Sequence, residues 1–117
     1  MSQLQSLPLY LAMYKLIKYS YGLIQHFPKG YKHTLGQDTV DKAWQTLDAI
    51  ISANSLPNSS KLPTITTASS SFDQLKTRLR MAHELKLITD QQYAFLMTQQ
   101  EEIGKMLSGW LKWAETK

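Results

Sequence analysis

The chain of 117 residues contains no cysteine and no long apolar run. The absence of thiols excludes a disulfide scaffold, a thiolate zinc site and a cysteine nucleophile, and it is typical of a reducing compartment such as the cytoplasm. Because no apolar run approaches the length of a membrane-spanning helix, we expect no membrane segment. Residues 1–5 lack the features of a signal peptide. With 43% hydrophobic and 19% charged residues, the composition predicts one folded domain over residues 1–117.

Motifs for catalysis and for cofactors are equally scarce. The three histidines, His26, His33 and His83, lie far apart in the sequence. They form none of the His-x-x-x-His or Glu-x-x-His pairs that metal sites in helical bundles use. The chain also has no nucleophile elbow and no phosphate-binding glycine loop. We therefore predict a protein that is not an enzyme and that holds no metal and no other cofactor.

Positive charge exceeds negative charge, with 13 Lys and Arg against 9 Asp and Glu, for a net charge of +4. The surplus lies mainly in residues 1–34, which hold four lysines and no acidic residue, with a second basic cluster in residues 73–90. This distribution permits a nucleic-acid or acidic-protein partner, although many domains without such partners share it.

The spacing of the apolar residues predicts four amphipathic helices. Residues 55–70 are rich in Ser and Thr and contain two prolines, so we predict a linker there that can be shortened without loss of the fold. Helices of this length with mostly short connections favour an all-α fold, an antiparallel up-down four-helix bundle. The predicted helices cover residues 8–27, 35–54, 71–86 and 90–114.

Several local features refine these predictions. Trp44 and Trp110 lie on apolar stripes and are predicted to be core residues, whereas Trp113 lies beside its stripe and can cover a subunit contact. Gly104 and Gly109 interrupt the fourth helix, and close helix packing is the expected reason. Ile51 and Leu85 are also predicted to face the core. The predicted capping boxes pair Thr34 with Gln37, Ser70 or Ser71 with Asp73 or Gln74, and Thr89 with Gln92.

Basic side chains are the main functional signal. On the first helix Tyr14, Lys18 and Tyr21 share one face, which suits phosphate contact combined with base stacking. On the third helix Lys76 and Arg80 are four residues apart and can reach the same row of phosphates. A solvated helix face explains both patterns equally well. The candidate nucleic-acid-binding residues are Lys15, Lys18, Lys32, Lys76, Arg80 and Lys105.

Three stretches of the chain form a recognisable set: HFPKGYKHTLGQ at residues 26–37, LRMAHELKLIT at 79–89 and EIGKMLSGWLK at 102–112. Together they resemble the accessory variability determinant (Avd) of diversity-generating retroelements. The last is similar to the family's signature of Gly, a basic residue, two apolar residues and a small residue before Trp. The long stretch 55–70 departs from the family's short connection. Lys86 stands where the family usually has glycine, so we expect no glycine cap at the end of the third helix.

The resemblance implies a four-helix-bundle subunit of a homopentamer with a basic surface. It also implies a non-catalytic protein that binds a reverse transcriptase and RNA or DNA, and that supports mutagenic copying of a template into a variable gene. The chain is similar as well to the small bundle proteins encoded in rRNA intervening sequences, although Leu35-Gly36-Gln37 favours Avd. A generic RNA-binding bundle and a purely structural oligomer are the remaining alternatives.

Overall fold

A computed structural model describes residues 2–117, with side chains from Leu7 onward. The described residues contain four long helices and no strand, which confirms the all-α prediction. Two short helical segments precede the second long helix, and a short 3-10 turn precedes the third. The long helices are α1 (Ser2–Ile24), α2 (Gln37–Ser55), α3 (Leu62–Glu84) and α4 (Asp90–Glu115).

Helix α1 begins earlier and ends earlier than its apolar pattern predicts. Pro8 lies inside the helix rather than in its first turn. The helix ends at Ile24, and a turn then places Phe27 in the core, where it is buried. Phe27 therefore continues the apolar stripe of α1 without being helical itself.

The segment between α1 and α2 is helical almost throughout. A short α-helical turn (Lys29–Tyr31) is followed by a π-helical segment (Lys32–Gly36) that continues directly into α2. The predicted cap at Thr34 is wrong, because its hydroxyl donates to the Gly30 carbonyl at 2.7 Å within this continuous helix. A Cβ added to Gly36 would lie 2.7 Å from Ile24 Cγ2, so this segment approaches α1 at a distance that requires glycine.

The predicted linker over residues 55–70 is wrong, because α3 already begins at Leu62. Pro63 stands in the first turn, where its missing N–H has no helical partner to lose. The hydroxyl of Thr66 donates to the Leu62 carbonyl at 2.8 Å, so a Thr-rich stretch is compatible with a helix here. Ile65 and Ala68 are fully buried. The predicted helix start at Ser70 or Ser71 is also wrong, since both residues lie inside α3.

The turn between α3 and α4 has the geometry of a Schellman motif. The N–H of Lys86 donates to the His83 carbonyl, and the N–H of Leu87 donates to the Ala82 carbonyl, both at 2.9 Å. Lys86 adopts a positive φ of 61°, a conformation that glycine adopts more easily. The helix therefore ends in the geometry of a glycine cap with lysine in the glycine position, which the absence of glycine did not predict.

The start of α4 agrees with the prediction. The Thr89 hydroxyl accepts a hydrogen bond from the N–H of Gln92 at 3.0 Å, and the Gln92 side chain accepts one from the N–H of Thr89 at 2.9 Å. This reciprocal pair is a capping box and confirms the predicted one.

The four helices pack around one apolar core, with α2 and α4 each contacting both α1 and α3. Trp110 lies in this core, as predicted. Trp44 does not: 39% of its surface is exposed, and Ile51 and Leu85 also point outward. Trp44 and Ile51 lie at the edge of the apolar stripe of α2, and Leu85 directly follows the last residue of α3, so the core does not enclose any of the three.

The two glycines of α4 do not mark a close helix contact. A Cβ added to Gly104 or Gly109 would meet nothing within 4 Å, so the predicted close packing is wrong within the described chain. No helix among the described residues is long and apolar enough to cross a membrane.

Candidate nucleic-acid interface

Lys18 lies in a groove of about 260 Å³ between α1 and α2. Tyr14, Tyr21 and Trp44 also line this groove, and the indole N–H of Trp44 donates to the Tyr21 hydroxyl at 2.9 Å. Lys18 is exposed and forms no ion pair within the described residues. The structure thus places a lysine among three aromatic rings, one of which was predicted to be a core residue.

Lys32 and Lys15 occupy separate surfaces. Lys32 lines a groove of about 210 Å³ that includes Tyr21 and therefore adjoins the groove of Lys18. Lys15 lines a third groove, between α1 and α4, together with Gln99 and the acidic Glu102. The structure thus brings Lys18 and Lys32 into neighbouring grooves but leaves Lys15 beside a carboxylate.

Lys76 and Arg80 both line an open groove of about 540 Å³ between α3 and α4. Lys76 Nζ lies 3.2 Å from Asp73 Oδ1, and Arg80 Nε lies 3.0 Å from Glu84 Oε2. Both are ion pairs within one helix surface, and exposed pairs of this kind contribute at most about 1 kcal/mol. A phosphate can therefore compete with these carboxylates for the two cations.

Lys105 and Arg78 are less available for binding at these grooves. Lys105 forms an exposed ion pair with Glu101 at 3.6 Å and does not line any of the grooves described above. Arg78 joins two helices, because its Nε donates to Asp38 Oδ2 at 2.8 Å. This contact connects α3 to α2 and gives Arg78 a structural role.

One wall beside the Lys76–Arg80 groove is built from two stacked rings. The rings of His83 and Tyr93 are 4.2 Å apart and 7° from parallel. His83 Nε2 also lies 2.8 Å from Asp90 Oδ1, near the start of α4. Since Tyr93 itself lines the groove, these contacts hold an aromatic ring in place next to Lys76 and Arg80.

Sequence reasoning missed Gln100, which lines the same groove and is only 5% exposed. Its Nε2 is buried and has no hydrogen-bond partner among the described residues. Gln100 lies four residues after Leu96 and three before Ile103, so it is a polar residue within the apolar stripe of α4. That interruption of the stripe was the sequence signal for it.

Lys61 was also missed, because it fell in the predicted linker. It is fully buried, and its Nζ donates to the carbonyls of Ala53 and Leu56 at 2.6 Å and of Asn54 at 3.2 Å. Burial lowers the pKa of this ammonium group by removing water from the charged form. Lys61 therefore caps the last turn of α2 and is not available to a ligand.

No group of three or more metal-ligating side chains occurs in the described part of the chain. A family model described as bAvd-like matches residues 9–114, which span nearly all of the four helices. This match confirms the resemblance identified from the three sequence stretches. No curated protein matches the chain, and no solved structure matches it.

Proposed function

Because the chain belongs to the bAvd-like family, we propose that it is a non-catalytic accessory subunit of a diversity-generating retroelement. In this role it binds the element's reverse transcriptase and RNA or DNA in the cytoplasm. It thereby supports the mutagenic copying of a template into a variable gene.

The observation that carries nucleic-acid binding is the position of Lys76 and Arg80 in one open groove. Arg80 uses Nε for Glu84, and its two terminal nitrogens form no hydrogen bond within the described residues. Those nitrogens can donate to one phosphate while Lys76 contacts the same or the next one. The geometry therefore suits a phosphate backbone that passes along the groove.

A second basic surface supports the same proposal. Lys18 and Lys32 line adjoining grooves, and exposed Tyr14, Tyr21 and Trp44 offer rings for base stacking beside Lys18. Asp41 and Asp48 are also exposed on α2 and weaken the positive field there. We therefore assign this surface a supporting role, and Lys15 and Lys105, which have carboxylates nearby, a smaller one.

We further propose that the chain is an antiparallel up-down four-helix bundle that assembles as a homopentamer. Short connections between helices that contact each other support the up-down arrangement. Exposed apolar side chains outside that basic surface, Leu7 and Leu11 of α1 and Phe95 of α4, provide area for a subunit contact. A closed ring repeats each weak phosphate contact, which raises the overall affinity by multivalency.

The test measures binding of fluorescent single-stranded RNA and DNA at several salt concentrations. We expect Lys76→Ala with Arg80→Ala to weaken binding and to flatten its salt dependence, because fewer counterions are released. Lys112→Ala with Lys117→Ala removes the same charge from exposed positions near the end of the chain and is the matched control. Equal affinities and salt slopes for the wild type and both double variants would contradict the assignment of this groove.

Assembly and partner binding are measured separately. Light scattering at micromolar concentration tests the oligomer, and a monomer would contradict the pentamer. Co-purification with the reverse transcriptase of the same element tests the partner. RNA binding without any reverse transcriptase binding would favour a generic RNA-binding protein, and the absence of both would favour a purely structural oligomer.

A further inference from the structure

We propose that the α3–α4 groove holds one unpaired nucleotide of a single strand, with Gln100 reading its base and Lys76 and Arg80 holding its phosphate. The proposal rests on the nucleic-acid-binding function proposed above and adds a specificity-determining residue to it. Gln100 is the residue that distinguishes this groove from a merely solvated basic helix face.

The side-chain amide of Gln100 lowers the stability of the fold at this position. The side chain is 95% buried, and its Nε2 has no partner among the described residues. A buried amide without a partner destabilises a fold by about 1–3 kcal/mol, and an apolar side chain of similar size avoids that loss. An unpartnered amide alone does not single out Gln100, since Gln99 Oε1 is also buried without a partner. Gln100 differs because it lines the groove of Lys76 and Arg80, where a ligand that pairs with the amide offsets this loss.

The position of the amide is suited to a base edge. Glutamine carries a donor and an acceptor side by side, which match the paired groups on the edge of a nucleobase. The unpartnered Nε2 is itself buried, so a half-turn about the last side-chain torsion, whose profile is broad and roughly two-fold, has to bring this donor to the groove when a base binds. Within a duplex the base edges are largely occupied, so this contact favours an unpaired base.

The remaining lining divides the groove into two regions. Tyr93 and Met97 provide an aromatic ring and an apolar side chain, which suit the faces of a base. Lys76 and Arg80 are more exposed than Gln100 and provide the cations for a phosphate. Asp73 also lines the groove and pairs with Lys76, so a bound phosphate has to displace this carboxylate.

A protein segment is the other occupant to consider, since backbone carbonyls also accept hydrogen bonds from an amide. Two cations one helical turn apart favour an anionic chain over a neutral peptide backbone. The stacked pair of His83 and Tyr93 keeps an aromatic ring in the lining, which favours a planar ligand. We therefore assign the groove to nucleic acid. The experiment below tests the alternative, that a protein segment occupies it.

The decisive variant is Gln100→Met, which keeps the approximate size of the side chain and removes its hydrogen bonds. The probes are 12-nucleotide fluorescent homopolymers of A, U and C, measured by anisotropy, and the free energy of unfolding is measured in urea. We expect Gln100→Met to be at least as stable as the wild type. We also expect it to bind its preferred homopolymer about five- to tenfold more weakly and to lose the preference among bases.

Gln99→Met is the matched control, because Gln99 Oε1 is also buried without a partner but Gln99 lines the α1–α4 groove. We expect it to bind all three homopolymers as the wild type does. A purely structural role for Gln100 would instead lower its stability and leave the base preference intact, which would overturn the proposal.

The possible failures are distinguishable. If the wild type binds no homopolymer and no RNA, the proposed function itself fails. If the wild type binds RNA and Gln100→Met binds with the same affinity and base preference, only the role of Gln100 fails. If Gln100→Met keeps RNA binding but loses the reverse transcriptase in co-purification, the groove is a protein site and the proposal is wrong.

Discussion

The Nζ of Lys61 donates a hydrogen bond of 2.6 Å to the carbonyl oxygen of Ala53 across the turn that joins α2 to α3. The last carbonyls of a helix have no partner within it, and the negative end of the helix dipole lies there. The buried ammonium group of Lys61 donates hydrogen bonds to these carbonyls and places a positive charge at the negative end of the dipole. Lys61 immediately precedes Leu62, so this contact connects the end of α2 to the start of α3.

We expect Lys61→Met to lower the free energy of unfolding by about 2–3 kcal/mol, because it leaves buried carbonyls of α2 without a donor. Urea denaturation followed by circular dichroism measures this loss. Lys15→Met, at an exposed position of α1, is the control and should change the stability by less than about 0.5 kcal/mol. If the two variants have the same free energy of unfolding, the hydrogen bonds of Lys61 to the end of α2 do not contribute to stability.

The stability contributed by Lys61 should depend on pH. Burial lowers the pKa of Lys61 below its ordinary value of 10.5, so between the two values the unfolded chain binds more protons than the folded chain. The free energy of unfolding of the wild type therefore rises with pH in this window, relative to that of Lys61→Met. Urea denaturation of both proteins between pH 7 and 10.5 measures the difference. If the stability advantage of the wild type over Lys61→Met shrinks as the pH rises, the carbonyls bonded to Lys61 raise its pKa, and the prediction is wrong.

We expect Lys86→Gly to stabilise the protein by about 1 kcal/mol, because Lys86 holds a left-handed conformation that is unfavourable for a residue with a Cβ atom. Thermal and urea unfolding measure the gain. Lys105→Gly places the same change inside α4 and should destabilise by about 1 kcal/mol. Destabilisation by both variants would argue against the positive φ at Lys86.

We expect Ile65→Ala to lower the free energy of unfolding by about 2–4 kcal/mol, since Ile65 is fully buried in the core. Thr67→Ala, at an exposed position of the same helix, should have a much smaller effect. Urea denaturation compares the two. A small effect of Ile65→Ala would restore the interpretation of residues 55–70 as a linker.

Local pattern predicted where two of the candidate binding residues lie, although not whether they bind a ligand. Spacing alone placed Lys76 and Arg80 on one face of a helix, and the structure brings both into one groove. Pattern could not identify the wall opposite them, because Tyr93 and Gln100 come from α4, and the packing of α4 against α3 is a long-range contact. The same limit explains why Trp44 was assigned to the core: a residue at the edge of an apolar stripe is buried only if a neighbouring helix covers it.

The sequence by itself determined the all-α class, the capping box of Thr89 and Gln92, and the burial of Trp110. The helix class and the capping box depend on residues within one or two helical turns, where side-chain spacing and backbone hydrogen bonding act directly. Trp110 lies on the apolar stripe of α4, which packs against both α1 and α3. Only the tertiary structure decided that α3 begins at Leu62. Thr and Ser are weak helix formers in isolation, and here the burial of Ile65 and Ala68 in the core outweighs that preference.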